Sequence, residues 1–281
     1  MAKDKKKTDM ASEAGAEPVK VYSRVANRAI RVFVAMVLVI ATLAVGAISL
    51  MITLHFFSNR SDYRDIRAEN DSLRVRARGL SSDPSDSSGE GETEEYEVME
   101  LSEFDMEMLQ INHDYVCWIT IDGTSIDHPV VRGYDNDKYI FTSFYGENNA
   151  LGALFMDYRN KDERSSNIII YGHNSMQGEM FGDLHLLLDE RFLNENNIIT
   201  LKAYGKTFDY EIYSTRVTDI YDPAYTLDFE TQSDFSVFVV ANEAPLHARN
   251  ILTLSTCVSR DNDLARLVVQ AYSLSDECIL G

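Results

Sequence analysis

The sequence predicts a mainly β domain, a closed eight-stranded barrel with peripheral helices, preceded by one N-terminal transmembrane helix. Three observations support this fold class. Residues 32–54 contain no charged side chain, and residues 81–97 consist mostly of Ser, Asp, Glu and Gly. The rest of the chain alternates short apolar runs with turn signals. Eight short strands with turn signals between them are typical of a closed barrel.

The uncharged run is long enough to span a bilayer, which takes about 20 apolar residues. A cleaved signal peptide is the competing interpretation, but its apolar core would be shorter, about 7 to 15 residues. The sequence therefore predicts an uncleaved anchor at 32–57. Lysines and arginines before it predict a cytoplasmic tail at 1–31. Arginines also follow the run, which weakens the charge asymmetry.

Residues 58–97 are expected to form a stalk and an acidic, Ser/Gly-rich linker. The first part, 59–80, mixes Arg with Asp and Glu and predicts a charged helix. The second part, 81–97, has too little apolar surface to order itself and predicts a flexible linker. The chain carries a net charge of −19, with the acidity concentrated after residue 80. That charge argues against nucleic-acid binding, which needs a basic surface.

The remaining region, 98–281, is the predicted globular domain. Apolar spacing predicts helices at 101–111 and 178–192. The long connection at 219–249 is expected to contain another helix, capped by Ser233 or Asp234. Strands are predicted at 116–121, 125–131, 153–157, 167–171, 198–204, 208–217, 250–256 and 266–272.

Three chemically active side chains lie at the edges of predicted strands. Cys257 ends the run TLSTC, His173 follows an apolar strand in the run YGHN, and Arg266 begins the last strand. A cysteine attacks as its thiolate, and a positive neighbour favours that form. Acyl transfer also needs a donor for the developing oxyanion. The three residues could supply a nucleophile, a general acid and base, and an oxyanion donor.

Each of these residues also has a structural interpretation. Cys257 could be a buried, inert thiol, and His173 could be satisfied by the backbone. A buried arginine is costly unless it is paired, so Arg266 indicates either a functional site or a buried ion pair. Arg260 is the rival arginine, in a polar turn. Of the other two cysteines, Cys117 is expected to be buried.

The TLSTC run with its following arginine, together with YGHN, resembles the signature of sortases, the membrane-anchored cysteine transpeptidases of Gram-positive bacteria. Segments 118–124, 126–131, 155–160 and 180–184 resemble the class B subfamily. The resemblance extends over roughly 101–275. It implies the eight-stranded sortase-type barrel, with Cys257, His173 and Arg266 as the catalytic residues.

The resemblance also implies the reaction. Cys257 would cleave the C-terminal sorting signal of a surface protein at threonine and form a thioacyl intermediate. The acyl group would pass to an amine of the cell wall precursor. The signal would be of the Asn-Pro-x-Thr type, and the expected substrate-binding residues are Asn174, Thr256 and Ser255. Two alternatives stay open: a pilus-assembling sortase that uses a pilin lysine, and a catalytically silent, membrane-tethered peptide-binding module.

No metal or cofactor is expected, because the sequence has no zinc-spaced His/Cys cluster and no EF-hand-like loop. The expected partners are surface proteins with a sorting signal, and a peptidoglycan precursor or pilin amine. The expected location is the cell membrane, crossed once, with a cytoplasmic N-terminus and an extracellular catalytic domain. Three cysteines are too few for a disulfide scaffold, and nothing in the sequence assigns a role to Cys278.

Overall fold

The computed structural model of the chain describes residues 17–80, 101–161, 166–259, 262–275 and 279–280. The chain forms two compact units, Met1–Tyr63 and Arg64–Gly281. The predicted linker at 81–97, together with Arg260 and Cys278, lies outside the described residues.

Helix α1, Glu17–Leu80, contains the predicted membrane span and the predicted charged helix. Within it, Ile30–Thr53 is long and apolar enough to cross a membrane, and none of it is buried. The segment is long enough to span a bilayer, because 24 residues at about 1.5 Å per residue exceed the hydrocarbon thickness of about 30 Å.

The second unit contains a closed barrel of eight strands, which confirms the predicted fold class. Around the barrel the strands follow the order β1-β2-β3-β4-β7-β8-β6-β5, and β5 pairs with β1 to close it. The strands are β1 Tyr115–Ile121, β2 Asp127–Val131, β3 Leu154–Met156, β4 Asn167–Tyr171, β5 Ile198–Ala203, β6 Lys206–Asp219, β7 Ile251–Ser259 and β8 Asn262–Ser273.

Two of the strand pairs are parallel, β2 with β3 and β4 with β7, and the others are antiparallel. Strand β7 lies between β4 and β8, and its residues 251–256 are all buried. A strand covered on both faces reads as a continuous apolar run rather than an alternating one. In β7 this pattern holds at Ile251, Leu252 and Leu254, whereas the buried hydroxyl side chains between and after them are hydrogen-bonded to neighbouring residues.

Of the two short helices predicted at 101–111 and 178–192, the first is present and the second is divided in two. Helix α2, Glu103–Ile111, is present and begins with a capping box formed by Ser102. The single helix expected at 178–192 is instead a 3-10 helix, Gly182–Leu188, followed by α3, Glu190–Glu195. Asp189 breaks it, because its extended backbone ends the first helix while its side chain accepts hydrogen bonds at the start of the second.

Helix α4, Gln232–Ala241, lies in the long connection between β6 and β7, as predicted. Its cap is Thr231, and neither Ser233 nor Asp234 occupies that position. The Asp234 carboxylate instead accepts a hydrogen bond from the Thr231 backbone, 2.8 Å away, to complete a capping box. The prediction was wrong by two or three residues because several polar residues in succession are all acceptable caps.

The last part of α1, residues 64–80, belongs to the second compact unit and is called the stalk segment below. Leu73 is 1% exposed and lies in a hydrophobic cluster with Met108, Trp118 and Phe144. Burying a leucine side chain contributes about 2 kcal/mol. The stalk segment is therefore part of the core of this unit, which its charged composition did not indicate.

The stalk segment also contacts a buried histidine. His128, on β2, is 1% exposed, and its Nε2 lies 3.1 Å from Arg74 Nη2. Arginine can only donate, so Nε2 accepts and the imidazole is neutral. Burial, together with the positive charge of Arg74, lowers the pKa of His128 to about 3.

Acid should therefore destabilise the fold through His128. Its pKa is depressed in the folded state, so the unfolded chain binds the extra proton below its ordinary pKa of about 6.5. We expect this group to remove about 2 kcal/mol of stability between about pH 7.5 and about pH 5. In His128→Gln, which keeps an acceptor but does not titrate, that loss should be absent. Urea unfolding, followed by the fluorescence of Trp118, measures the free energy of unfolding of the wild-type protein and of His128→Gln at each pH. An equal loss in the two proteins would contradict this prediction.

Candidate active site

Strand β7 delivers Cys257 to the surface. The preceding residues, Thr253 to Thr256, are buried, whereas Cys257 is exposed and not in a disulfide. The change from buried to exposed occurs just after the pairing of β7 with β4 stops at Ser255, while the pairing of β7 with β8 continues through Cys257. A rigid, buried strand ending in an accessible thiol is a suitable position for a nucleophile.

Strand β4 brings His173 beside this strand end. The strands β4 and β7 are parallel, and Tyr171 pairs with Ser255 in their register. Gly172 continues the pairing, because its N–H donates to the Ser255 carbonyl, 3.2 Å away. A Cβ at Gly172 would lie 2.3 Å from Leu154 Cδ2 and 2.8 Å from the Phe181 ring, so any larger residue here would force these two buried side chains to move.

The His173 ring has a defined orientation. Its Nε2 lies 2.7 Å from the carbonyl oxygen of Ile140, and its ring packs against Phe141 at 5.8 Å. A carbonyl only accepts, so Nε2 carries a proton. In the neutral ring Nδ1 is then the basic nitrogen, and it has no hydrogen-bond partner among the described residues.

Strand β8 places Arg266 directly opposite Cys257. The two are Cα partners in the antiparallel β7–β8 pair, and residues directly opposite each other project from the same face of the sheet. Arg266 is half-buried, and its Nη1 donates to the Ala265 carbonyl at 3.0 Å. The structure thus brings Cys257, His173 and Arg266 together at one end of three adjacent strands.

The predicted substrate-binding residues have different surroundings. Asn174 is exposed, and its Nδ2 donates to the Cys257 carbonyl at 2.9 Å. The Thr256 hydroxyl is buried and donates to the Gly172 carbonyl at 2.8 Å. Both contacts tie the end of β4 to the end of β7. Their role towards a substrate stays a prediction.

Ser255 contacts a residue that the sequence did not place near the site, Tyr225. Its Oγ lies 2.8 Å from the hydroxyl of Tyr225, which comes from the connection between β6 and β7. Burial raises the pKa of Tyr225, while Ser255 and the charge of Arg266 act in the opposite direction. Through this hydrogen bond Tyr225 is attached to β7 two residues before Cys257. The only signal in the sequence was the length of the connection.

Buried amides and hydroxyls fix the backbone around Tyr225. Asn167 Nδ2 donates to the carbonyls of Ala224, at 2.8 Å, and Thr226, at 2.9 Å. The Thr253 hydroxyl donates to Asn167 Oδ1 at 2.9 Å, which orients that amide. Asn167 and Thr253 are fully buried. This part of the connection is therefore attached to β4 and β7, the strands that carry the histidine and the cysteine.

An ion pair holds the same connection from the other side. Asp222 accepts from Arg216 Nη2 at 2.6 Å and Nε at 3.1 Å, and from the Thr218 hydroxyl at 2.7 Å. Burial alone would raise the pKa of Asp222, but these hydrogen bonds and that of the Ala224 N–H outweigh it and lower the pKa. The backbone around Tyr225 is therefore anchored on both sides, by Asn167 and by Asp222.

Comparisons with known proteins identify the family of this chain. The sortase domain family matches residues 119–274. Sortase B of Listeria monocytogenes is 34% identical over 175 residues, which is 58% of this chain and 71% of that protein.

Two solved structures share the fold. The sortase B of Clostridium perfringens has a TM-score of 0.56 and 32% identity, covering 61% of this chain and all of that one. A Staphylococcus aureus sortase B–substrate complex has a TM-score of 0.66 and 25% identity, covering 77% and 99%.

The barrel and the family match define a sortase, a cysteine transpeptidase, and this chain belongs to that family. Its relatives and structural neighbours are sortases B, so the chain is a class B sortase, as the sequence predicted.

The two described cysteines should differ sharply in reactivity. Burial, and then the charge of Asp105, raise the pKa of Cys117, whose side chain is fully buried. Cys257 is exposed. We expect iodoacetamide to label Cys257 at least about 10-fold faster than Cys117 in the folded protein. Peptide mass spectrometry measures both rates, with urea-unfolded protein as the control. Equal rates in the folded protein would contradict this prediction.

Proposed function

We propose that this protein is a membrane-anchored sortase that attaches surface proteins to the cell wall through a Cys257 thioacyl intermediate. The observation that supports this most directly is the placement of Cys257, His173 and Arg266. They occupy the same end of three paired strands, and only the cysteine in this group is a nucleophile.

In the first half-reaction the Cys257 thiolate attacks the carbonyl carbon of the threonine in the sorting signal. A carbon–sulfur bond forms, and the carbonyl oxygen takes the negative charge, which Arg266 stabilises by donating hydrogen bonds. The carbon–nitrogen bond then breaks. Protonated His173 gives its proton to the leaving amine, and a thioester remains on Cys257.

In the second half-reaction an amine attacks the thioester carbon. His173 accepts the proton of that amine, the new amide forms, and Cys257 leaves as thiolate. Because Nε2 of His173 is occupied by the Ile140 carbonyl, Nδ1 is the nitrogen that exchanges the proton. The hydrogen bond to Ile140 keeps the ring in one orientation for both steps.

The proposed substrate groove runs along the connection between β6 and β7 towards Cys257. Tyr225 of this connection is hydrogen-bonded to Ser255, and Asn174 contacts the Cys257 carbonyl, so both lie close to the proposed nucleophile. The Staphylococcus aureus sortase B structure is a substrate complex, and a further sortase B structure contains triglycine. These relatives support a sorting-signal peptide as donor and a glycine amine of the cell wall precursor as acceptor.

The anchor is the apolar part of α1. Ile30–Thr53 is the one helix among the described residues that is long and apolar enough to cross a membrane. Basic residues before it favour a cytoplasmic N-terminus. The catalytic unit would then lie outside the cell, where both surface proteins and wall precursors are available.

The proposal predicts a covalent intermediate. The full chain in detergent micelles is mixed with a panel of sorting peptides, including the Asn-Pro-x-Thr type, with and without triglycine. We expect an acyl adduct on Cys257 by mass spectrometry, and a transpeptidation product when the amine is present. Cys257→Ala should form neither.

Other outcomes would identify a different protein function. Transfer only to a lysine-containing pilin peptide would indicate a pilus-assembling enzyme. Binding of a peptide without an adduct, by the wild-type protein, would indicate a peptide-binding module and contradict the proposal.

Arg266 should act in the transition state rather than in peptide binding alone. Replacing it by Gln keeps some polarity but removes the charged donor. We expect kcat to fall about 100-fold or more, as for loss of an oxyanion donor. Steady-state peptide cleavage provides kcat and KM, and thermal unfolding shows whether the variant is folded. A folded Arg266→Gln protein with wild-type kcat would remove Arg266 from the mechanism.

A further inference from the structure

The turn after His173 is attached to the stalk segment by a buried carboxylate. Glu179 has a side chain that is only 3% exposed. Its Oε1 lies 3.1 Å from Arg67 Nε, and its Oε2 lies 3.2 Å from Asn70 Nδ2 and 3.8 Å from Arg74 Nη2. Every partner that the structure describes for this carboxylate is on the stalk segment.

That arrangement has an energetic consequence. An ionised carboxylate is costly to bury unless donors and positive charges compensate for the lost water. Two arginines and one amide supply that compensation here, and all three are more than 90 residues away in sequence. Glu179 can therefore keep its buried position only while the stalk segment is docked.

Glu179 is part of a tight turn that includes the proposed catalytic histidine. The N–H of Phe181 donates to the His173 carbonyl at 3.0 Å, and Asn174 pairs with Met180 in an isolated β-bridge. The N–H of Gly182 donates to the Glu179 carbonyl at 2.9 Å. The turn at 173–182 thus folds back on itself, with Glu179 next to the residue that pairs with Asn174.

The other side of the same turn contacts the nucleophile. Asn174 Nδ2 donates to the carbonyl of Cys257 at 2.9 Å. Met180, its partner in the bridge, has a φ of 55°, a conformation that non-glycine residues seldom adopt. Surrounding contacts must maintain such a backbone, and the Glu179 carboxylate provides one of them at the adjacent residue.

We propose that Glu179 is a positioning residue, through which the stalk segment fixes the turn that holds His173 and Asn174 beside Cys257. The inference rests on the proposed role of His173 in acyl transfer. It means that the segment between the membrane span and the linker is a working part of the catalytic unit. Without its docking, the histidine would still be present but would spend less time in the orientation needed for proton transfer.

The chain contains a matched contact for comparison. Arg76, on the same stalk segment, pairs with Glu107 of α2 at 3.2 Å. This ion pair also joins the stalk segment to the rest of the unit. It is partly exposed, and Glu107 lies in α2 and not in the turn at 173–182. Glu107→Gln therefore removes a stalk contact without changing the turn.

The experiment compares Glu179→Gln and Glu107→Gln in the full chain, in detergent micelles, with the peptide and triglycine assay. We expect Glu179→Gln to lower kcat about 10-fold or more, because small misplacements of a catalytic group are costly, and to leave KM for the peptide unchanged. Glu107→Gln should change kcat by less than about twofold. When Arg67→Gln is combined with Glu179→Gln, kcat should fall little further, since the two substitutions remove the same interaction.

Amide hydrogen exchange supplies a readout that does not require activity. We expect faster exchange at 174–182 in Glu179→Gln and unchanged exchange there in Glu107→Gln. If the wild-type protein transfers no acyl group, the proposed function fails, and exchange alone decides this inference. Unchanged exchange in Glu179→Gln overturns it. So does a kcat loss that Glu107→Gln reproduces, because that would be a general effect of loosening the stalk segment.

Discussion

The parallel pairing of β4 with β7 is the interaction on which the rest of the site depends. It sets Tyr171 opposite Ser255, and the next residues on the two strands are the glycine before His173 and the threonine before Cys257. The Thr256 hydroxyl and the Gly172 N–H extend that pairing beyond the last regular strand residue. Antiparallel pairing with β8 then adds Arg266 opposite the cysteine.

Much of this was predictable because buried strands have a simple sequence pattern. All eight strands, the barrel and the convergence of Cys257, His173 and Arg266 followed from apolar runs and from the family resemblance. The position of Tyr225 could not be predicted, because its backbone is held by amide contacts of Asn167 that exist only in the folded chain. Nor could sequence place Arg67 against Glu179, since charged residues on a helix usually indicate a solvated face.

Two carboxylates near the site, one buried and one largely buried, are each paired with an arginine. Asp222 with Arg216 anchors the connection that carries Tyr225, and Glu179 with Arg67 anchors the turn after His173. Such pairs contribute modest net stability, because desolvation offsets much of the attraction. They do favour one backbone arrangement over its alternatives. The strands thus supply rigid positions, and these ion pairs restrict the loops between them.

Gly172 and Thr256, which hydrogen-bond across the β4–β7 pair, are 84 residues apart in sequence. Contacts of such long range form slowly, because closing a long loop costs entropy before the contact is gained. An incompletely folded chain would have a thiol but no histidine beside it. The thiol and the histidine are therefore brought together only in molecules that have completed their folding, which links the assembly of the site to the last and slowest contacts of the barrel.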